Sequence, residues 1–259
     1  MKIVILCGGL GTRLREETEF KPKPMVAIGD KPILWHIMKI YAYYGFKDFV
    51  LCLGYKGEVI KEYFLSYEAM NNDFTIQLGN QNRIQLHSKH SEEEWNVTLA
   101  DTGASAMTGS RIKRIEKYID TENFMVTYGD GVADIDINKL FEFHSKHKKI
   151  ATLTGVHSLS RYGELLVEGD SIKKFKEKPQ FSTRYISGGF FVFRKQVFDY
   201  MADDDNCVLE RNVLEQLASE GELKIFTHKG FWQCVDTYRD FKYLQEIWEK
   251  GHTPWIVWK

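Results

Sequence analysis

The stretch Ile3-Val4-Ile5-Leu6-Cys7-Gly8-Gly9-Leu10-Gly11-Thr12-Arg13 decides how the rest of the chain is read. Its unbroken apolar run has the length of a strand buried on both faces, as strands inside a parallel sheet are. The glycines directly behind it permit positive φ and let backbone N–H groups approach an anion closely. A plain glycine turn between strand and helix would use the same residues. Two common phosphate-loop templates fail here. The dinucleotide fingerprint wants glycine where Leu14 stands, and the P-loop wants Lys-Ser/Thr where Thr12-Arg13 stands.

Outward from this loop the pattern continues as strand, helix, strand, helix. Pro32 opens a segment with Ile33, Ile37, Ile40, Tyr41 and Tyr44 on one helical face, and Gly45 stops it. Phe49 to Leu53 is apolar again, and Val59 to Phe64 has helical spacing. Such alternation predicts parallel strands with right-handed helical crossovers and ligands beyond their carboxyl ends. From Phe74 to Asp101 come short strand-like pieces, Phe74 to Leu78, Arg83 to His87 and Val97 to Leu99, read together as an antiparallel insertion. The parallel pattern resumes with a capped helix from about Thr108, the strand Phe124 to Tyr128 ending in Gly129-Asp130-Gly131, and a helix through Leu140 and Phe143. Beyond Lys149, strands are expected at Ile150 to Val156, Leu165 to Val167, Ser171 to Phe175, Gly189 to Phe193 and Leu223 to Thr227. A helix is expected near Val208 to Ala218 and an amphipathic one from Tyr238. No low-complexity linker or repeat divides the chain, so one mixed α/β domain with a C-terminal extension is the expected organisation.

Composition narrows the partners. With 43% hydrophobic and 27% charged residues, neither a disordered nor a collagen-like chain is possible. A net charge of −1 leaves no general basic field for nucleic acid or anionic membranes, so any phosphate site is local. No apolar run approaches the ~18 residues of a membrane span, and no cleavage-site pattern follows Met1-Lys2, which predicts a cytoplasmic protein. Cys7, Cys52, Cys207 and Cys234 are read as reduced thiols.

Charged residues then mark a site. In Lys21-Pro22-Lys23-Pro24 the flanking prolines are expected to hold Lys23 extended, near a fixed anion. Arg13 and Lys23 would put two cations on one polyphosphate. Asp130, between glycines at a strand end, and Asp236, after Trp232-Gln233-Cys234-Val235, suit a Mg²⁺ that bridges phosphates. Asp-Gly is equally a turn dipeptide. The histidine pairs His87/His90 and His144/His147 have no HExxH context, and no G-x-S-x-G elbow exists.

With these residues identified, nearly the whole chain resembles the sugar-1-phosphate nucleotidylyltransferases. The family's loop reads Gly8-Gly9-Leu10-Gly11-Thr12-Arg13-Leu14, followed by Thr18 and Pro22-Lys23-Pro24, and Gly29-Asp30-Lys31-Pro32 matches its helix entry. Gly129-Asp130, Glu177-Lys178-Pro179 and Phe231-Trp232 with Asp236-Thr237 match its metal and sugar-phosphate motifs. Ile33-Leu34-Trp35-His36-Ile37-Met38, Trp95-Asn96-Val97-Thr98-Leu99 and the Trp248 to Trp255 tail resemble its cytidylyl branch. The resemblance implies a Rossmann-like, mostly parallel mixed sheet of GT-A type with an antiparallel insertion and a small C-terminal sugar-binding extension. It implies a nucleotide-binding half, about 1–150, and a sugar-phosphate half, about 151–259.

The same resemblance implies CTP and a sugar-1-phosphate, α-D-glucose 1-phosphate, as substrates, and Mg²⁺ on Asp130 and Asp236. Arg13, Lys23, Asp130, Lys178 and Asp236 become the catalytic set. Leu6, Gly8, Gly9, Leu10, Gly11, Thr12, Arg13, Lys23, Thr108, Arg111 and Gly129 become the nucleotide contacts, and Glu177, Lys178, Ser187 and Gly188 the sugar-phosphate contacts. Ser187-Gly188-Gly189 stands where the family has N-G-G, which leaves the sugar open. A homo-oligomer, with a hexamer as one form, is implied, with residues 71–101 as a place for subunit contacts. Alternatives are a uridylyl- or thymidylyltransferase of the same fold, another sugar phosphate, or a non-catalytic sugar-nucleotide-binding subunit. Retention of all five charged residues speaks against the last.

Overall fold

The computed structural model describes residues 1–9, 11–79, 83–87, 92, 94–157, 164–176 and 185–258. Strand β1 (Lys2–Leu6) runs through the glycine loop into α1 (Arg15–Thr18), and β2 (Ala27–Ile28) pairs with β3 (Lys31–Pro32) ahead of α2 (Ile33–Tyr43). Then come β4 (Asp48–Leu53), α3 (Gly57–Leu65), α4 (Tyr67–Asn71), β5 (Phe74–Ile76), β6 (Ile84–Leu86) and β7 (Asn96–Asp101). Helix α5 (Thr108–Arg114), β8 (Asn123–Tyr128), β9 (Gly131–Ala133) and α6 (Ile137–His147) close the first half. The second half holds β10 (Ala151–Val156), the hairpin β11 (Glu164–Glu168) and β12 (Ser171–Lys176), and the long β13 (Ile186–Arg194). A π-helical segment, Leu209–Leu214, leads into α7 (Glu215–Ser219), followed by β14 (Leu223–Thr227), β15 (Trp232–Cys234) and α8 (Tyr238–Glu249).

One seven-stranded sheet, in the order β14-β10-β13-β8-β1-β4-β7, spans both halves. β8, β1, β4 and β7 are mutually parallel, β10 is parallel to β14, and β13 runs antiparallel to both β8 and β10. The mostly parallel α/β sheet expected from the alternating pattern is therefore what forms. Central strands are mainly apolar because both faces are covered. Ile3 and Ile5 enter the core on one side, and Val4 and Leu6 enter the core on the other. Phe190 and Val192 against Phe191 and Phe193 on β13 repeat this division.

Several expectations change. Residues 97–99 do not belong to an antiparallel insertion: β7 pairs in parallel with β4 from Asp48↔Asn96 to Leu53↔Asp101 and forms a sheet edge. β5 and β6 do pair antiparallel, as a separate hairpin. Short apolar runs carry no information on strand direction; Trp95, Val97 and Leu99 pack onto the main core, and that burial decides the pairing. The helix near Val208 opens with π-type turns, with Leu209, Val213 and Leu214 buried. The cysteines are free thiols, Cys7, Cys52 and Cys207 buried and Cys234 partly so. Among the described residues no helix is long and apolar enough to cross a membrane.

The C-terminal segment is anchored on α2. A capping box between Thr237 and Asp240 starts α8, and Gln245 accepts from the Gly29 N–H and donates to the Ala27 carbonyl, clamping α8 onto β2. Trp255 is fully buried, stacked on Phe231 and Trp248, and its indole N–H donates to His36 Nδ1 at 3.4 Å. His36 Nε2 faces the Ile28 carbonyl at 3.0 Å, so the fitting tautomer is neutral with its proton on Nε2.

Burial pulls His36 down to about 4. The unfolded chain takes up this proton near pH 6.5 and the folded chain only near 4, so the contribution is complete above pH 6.5 and lost as pH falls from 6.5 to 4. The unfolding free energy from urea titrations should fall over that window, by about 3 kcal/mol for the full shift. A His36→Gln variant should flatten the slope but not abolish it, because burial also pulls His144 down to about 4 and lowers His147.

Candidate active site

The carboxyl ends of β1 and β8 meet at Gly129. A Cβ there would lie 2.8 Å from the Leu6 carbonyl oxygen and 2.9 Å from Pro24 Cγ, so glycine is what lets the three segments touch. The Gly129 N–H donates to the Leu6 carbonyl at 3.1 Å. Immediately beyond, β9 pairs with β15, Gly131 opposite Cys234, and the Val235 N–H donates to the Asp130 carbonyl at 2.8 Å. This ribbon sets Asp236 beside Asp130.

Lys23 sits between the two acids. Its ammonium donates to Asp130 Oδ2 at 2.6 Å and to Asp236 Oδ1 at 2.7 Å. Burial alone would lower this lysine, but the two carboxylates outweigh it and hold the ammonium above its ordinary value. The prolines act differently from expectation. Pro22 is extended, while Lys23 begins a 3₁₀ turn through Met25 that aims its side chain at the acids. Arg13 Nη1 lies 3.4 Å from Asp236 Oδ2, so both expected cations stand at the same carboxylate.

Arg111 has a different setting. It is 5% exposed, and Nη1 donates to the Leu53 carbonyl, Thr102 Oγ1 and the Gly103 carbonyl, while Nη2 donates to the Gly8 and Ala104 carbonyls. Gly8 must be glycine because a Cβ would lie 2.2 Å from this guanidinium. Burial lowers the guanidinium from its ordinary value. Thr108 does not cap its own helix. Met107 occupies that position, and Thr108 Oγ1 instead donates to Glu210 Oε2 at 2.8 Å.

These groups surround a cleft of about 410 Å³. Leu6, Gly8, Gly9, Gly11, Thr12, Arg13, Lys23, Thr108, Arg111, Gly129, Asp130 and Asp236, all singled out in the sequence, line it. Ser187 and Gly188 are not among its lining residues; Ser187 is exposed on β13, and the Gly188 carbonyl accepts from the Trp232 indole at 2.8 Å. Leu10, Glu177 and Lys178 lie outside the described residues. Cys7, Pro24, Ala106, Met107 and Tyr128 also line the cleft and were not anticipated. Tyr128 could have been found from its place just ahead of Gly129-Asp130. Burial pushes the Cys7 thiol well up, and burial with Asp130 and Asp236 nearby pushes Cys234 up to about 12, so neither is a nucleophile at neutral pH.

A glycine loop, two converging acids and two cations at the carboxyl ends of a parallel sheet define a nucleotide-handling enzyme. Residues 2–249 match the Nucleotidyl transferase family, and the chain belongs to it. It is 52% identical over 260 residues to the glucose-1-phosphate cytidylyltransferase of Salmonella typhi, covering 100% of both chains. The Salmonella typhimurium protein of that name is also 52% identical over 260 residues. HddC from Yersinia pseudotuberculosis, solved in complex with GMP-PN, has a similar structure, with TM-score 0.70 and 25% identity over 95% of this chain and 99% of that one.

Lysine cannot reproduce the guanidinium fork, so Arg111→Lys should remove the side-chain donor of the Gly103 and Ala104 carbonyls and break the tie between the loops behind β1, β4 and β7. The expected loss is at least ~2 kcal/mol of unfolding free energy, measured by urea titration.

Proposed function

We propose that this chain transfers the cytidylyl group of CTP to α-D-glucose 1-phosphate, giving CDP-glucose and pyrophosphate. One observation carries the chemistry: Asp130 and Asp236, from separate strand ends, converge on one ammonium at the mouth of a glycine loop. Full-length likeness at 52% identity to enzymes named for this reaction supports the choice of nucleotide and sugar. The sugar-phosphate oxygen is already anionic, so its in-line attack on the α-phosphorus needs no general base. A new oxygen–phosphorus bond forms, the bond to the β-phosphate oxygen breaks, and pyrophosphate leaves. Catalysis is then positioning plus charge stabilisation.

In this reading Lys23 and Arg13 hold the leaving pyrophosphate, and the amides of the glycine loop from Leu10 to Thr12 cradle the triphosphate. Lys178 holds the sugar phosphate by its motif, with Glu177, Ser187 and Gly188 at the sugar. Asp130 and Asp236 fit Mg²⁺: they are hard oxygen donors already converging on one cation. When bound, Mg²⁺ would neutralise charge on the α-phosphate.

Residues 1–150 and 151–259 share one sheet, so we treat them as the nucleotide and sugar halves of one cytoplasmic domain. We also read the protein as a homo-oligomer. The β5–β6 hairpin exposes Phe74, Ile76, Ile84 and Leu86, paired Phe74↔Leu86 and Ile76↔Ile84 on one face, as apolar surface for a neighbouring subunit.

Purified protein with CTP, glucose 1-phosphate and Mg²⁺ should release pyrophosphate. Asp130→Asn should lower kcat at least ~100-fold; near-normal turnover would remove the metal role. Arg13→Ala should depress kcat far more than it raises KM, because its charge is needed most as pyrophosphate departs. Ile76→Lys should shift the species seen by light scattering toward a smaller assembly.

A further inference from the structure

Glu210 lies behind the cleft wall and accepts a hydrogen bond on each carboxylate oxygen. Tyr128 Oη donates to Oε1, and Thr108 Oγ1 donates to Oε2 at 2.8 Å. The Leu209 N–H in turn donates to Thr108 Oγ1 at 2.9 Å. A hydroxyl has one proton and two acceptor sites. Thr108 has therefore given its proton to a carboxylate and filled one acceptor site, which leaves it one acceptor site for a ligand. Tyr128 has likewise given up its proton. Thr108 and Tyr128 line the cleft and Glu210 does not, so the carboxylate acts on a ligand only through them. The phosphate end of the cleft is marked by Arg13, Lys23, Asp130 and Asp236, joined by ion pairs. Thr108, at the start of α5, and Tyr128 line the same cleft but are hydrogen-bonded to Glu210 rather than to that charged cluster.

We propose that Glu210 is a positioning residue that makes the Thr108 and Tyr128 hydroxyls accept hydrogen bonds from a ligand without donating to it, and that these hydroxyls thereby select a nucleobase presenting an amino group over one presenting a carbonyl. This rests on the cytidylyl reading above and deepens it: the 4-amino edge of cytosine finds an acceptor, whereas the 4-oxo edge of uracil or thymine meets oxygens that have no proton to offer. A buried acceptor facing another acceptor loses its hydration without compensation, and sites built this way discriminate more strongly than apolar pockets do.

The test compares kcat/KM for CTP and UTP in wild type and in Glu210→Gln. Glutamine keeps the shape but brings an NH₂ donor, so one hydroxyl accepts from the amide and turns its own proton toward the cleft. The CTP:UTP ratio should fall about tenfold, chiefly through a lower KM for UTP. Thr108→Val should also lower the ratio, by weakening CTP without improving UTP, and Thr108→Ser should restore it. These two variants carry the test if Glu210→Gln does not fold. A purely structural role would depress both nucleotides alike; an unchanged ratio in Glu210→Gln, or in Thr108→Val, overturns the inference. Wild-type enzyme that prefers UTP overturns the cytidylyl reading and this inference together. A CTP-preferring wild type with an unmoved variant ratio overturns this inference alone.

Discussion

The arrangement of the cleft depends on one buried guanidinium. Arg111 gathers the Gly8 carbonyl behind β1, the Leu53 carbonyl at the end of β4, and Thr102 Oγ1 with the Gly103 and Ala104 carbonyls behind β7. The Leu53 carbonyl also accepts from the Thr102 N–H and the Gly8 carbonyl from the Tyr55 N–H, so the guanidinium fills their second acceptor sites and is itself the donor for the Gly103 and Ala104 carbonyls. A planar cation with a fixed fork of donors meets several at once. The loops leaving three strands are thus held at one point, and the cleft opens beside it.

A second constraint acts at the phosphate end. Asp130 and Asp236 would repel one another if brought together alone, and Lys23 between them makes the approach favourable. The same charges suit the proposed reaction, since a triphosphate and a metal ion bring opposite charge to each group present. Behind the site, the sheet is covered on both faces, and the tryptophan cluster around His36 fastens the C-terminal segment to α2. Asp236 precedes that segment directly, so anchoring α8 also steadies one of the two acids.

Much of this was legible from residue order. Unbroken apolar runs at 3–7 and 124–128 marked central strands, and the glycines behind them marked where a ligand fits. Lys23 and Asp130 stood out by their proline and glycine neighbours, Arg13 by its place behind the glycine loop, and Asp236 by following Trp232-Gln233-Cys234-Val235 near a strand end. β7 was misjudged as part of an antiparallel insertion because six residues of alternating pattern look the same in either direction. Glu210 drew no attention at all. It sits beside Arg211 and Asn212 in a helical segment of mixed polarity, and its partners Tyr128 and Thr108 are 82 and 102 positions away.

By itself, then, the sequence determined the strand and helix alternation, the glycine loop and the identity of the charged groups, because these follow from local sterics and periodicity. Tertiary structure alone decided which of those groups meet. It turned Lys23 onto two acids from distant strands, drew the Arg111 guanidinium inward to backbone carbonyls, and committed the protons of Thr108 and Tyr128 to Glu210. The direction of a hydrogen bond depends on which donor and acceptor are brought within about 3 Å, and folding sets that distance.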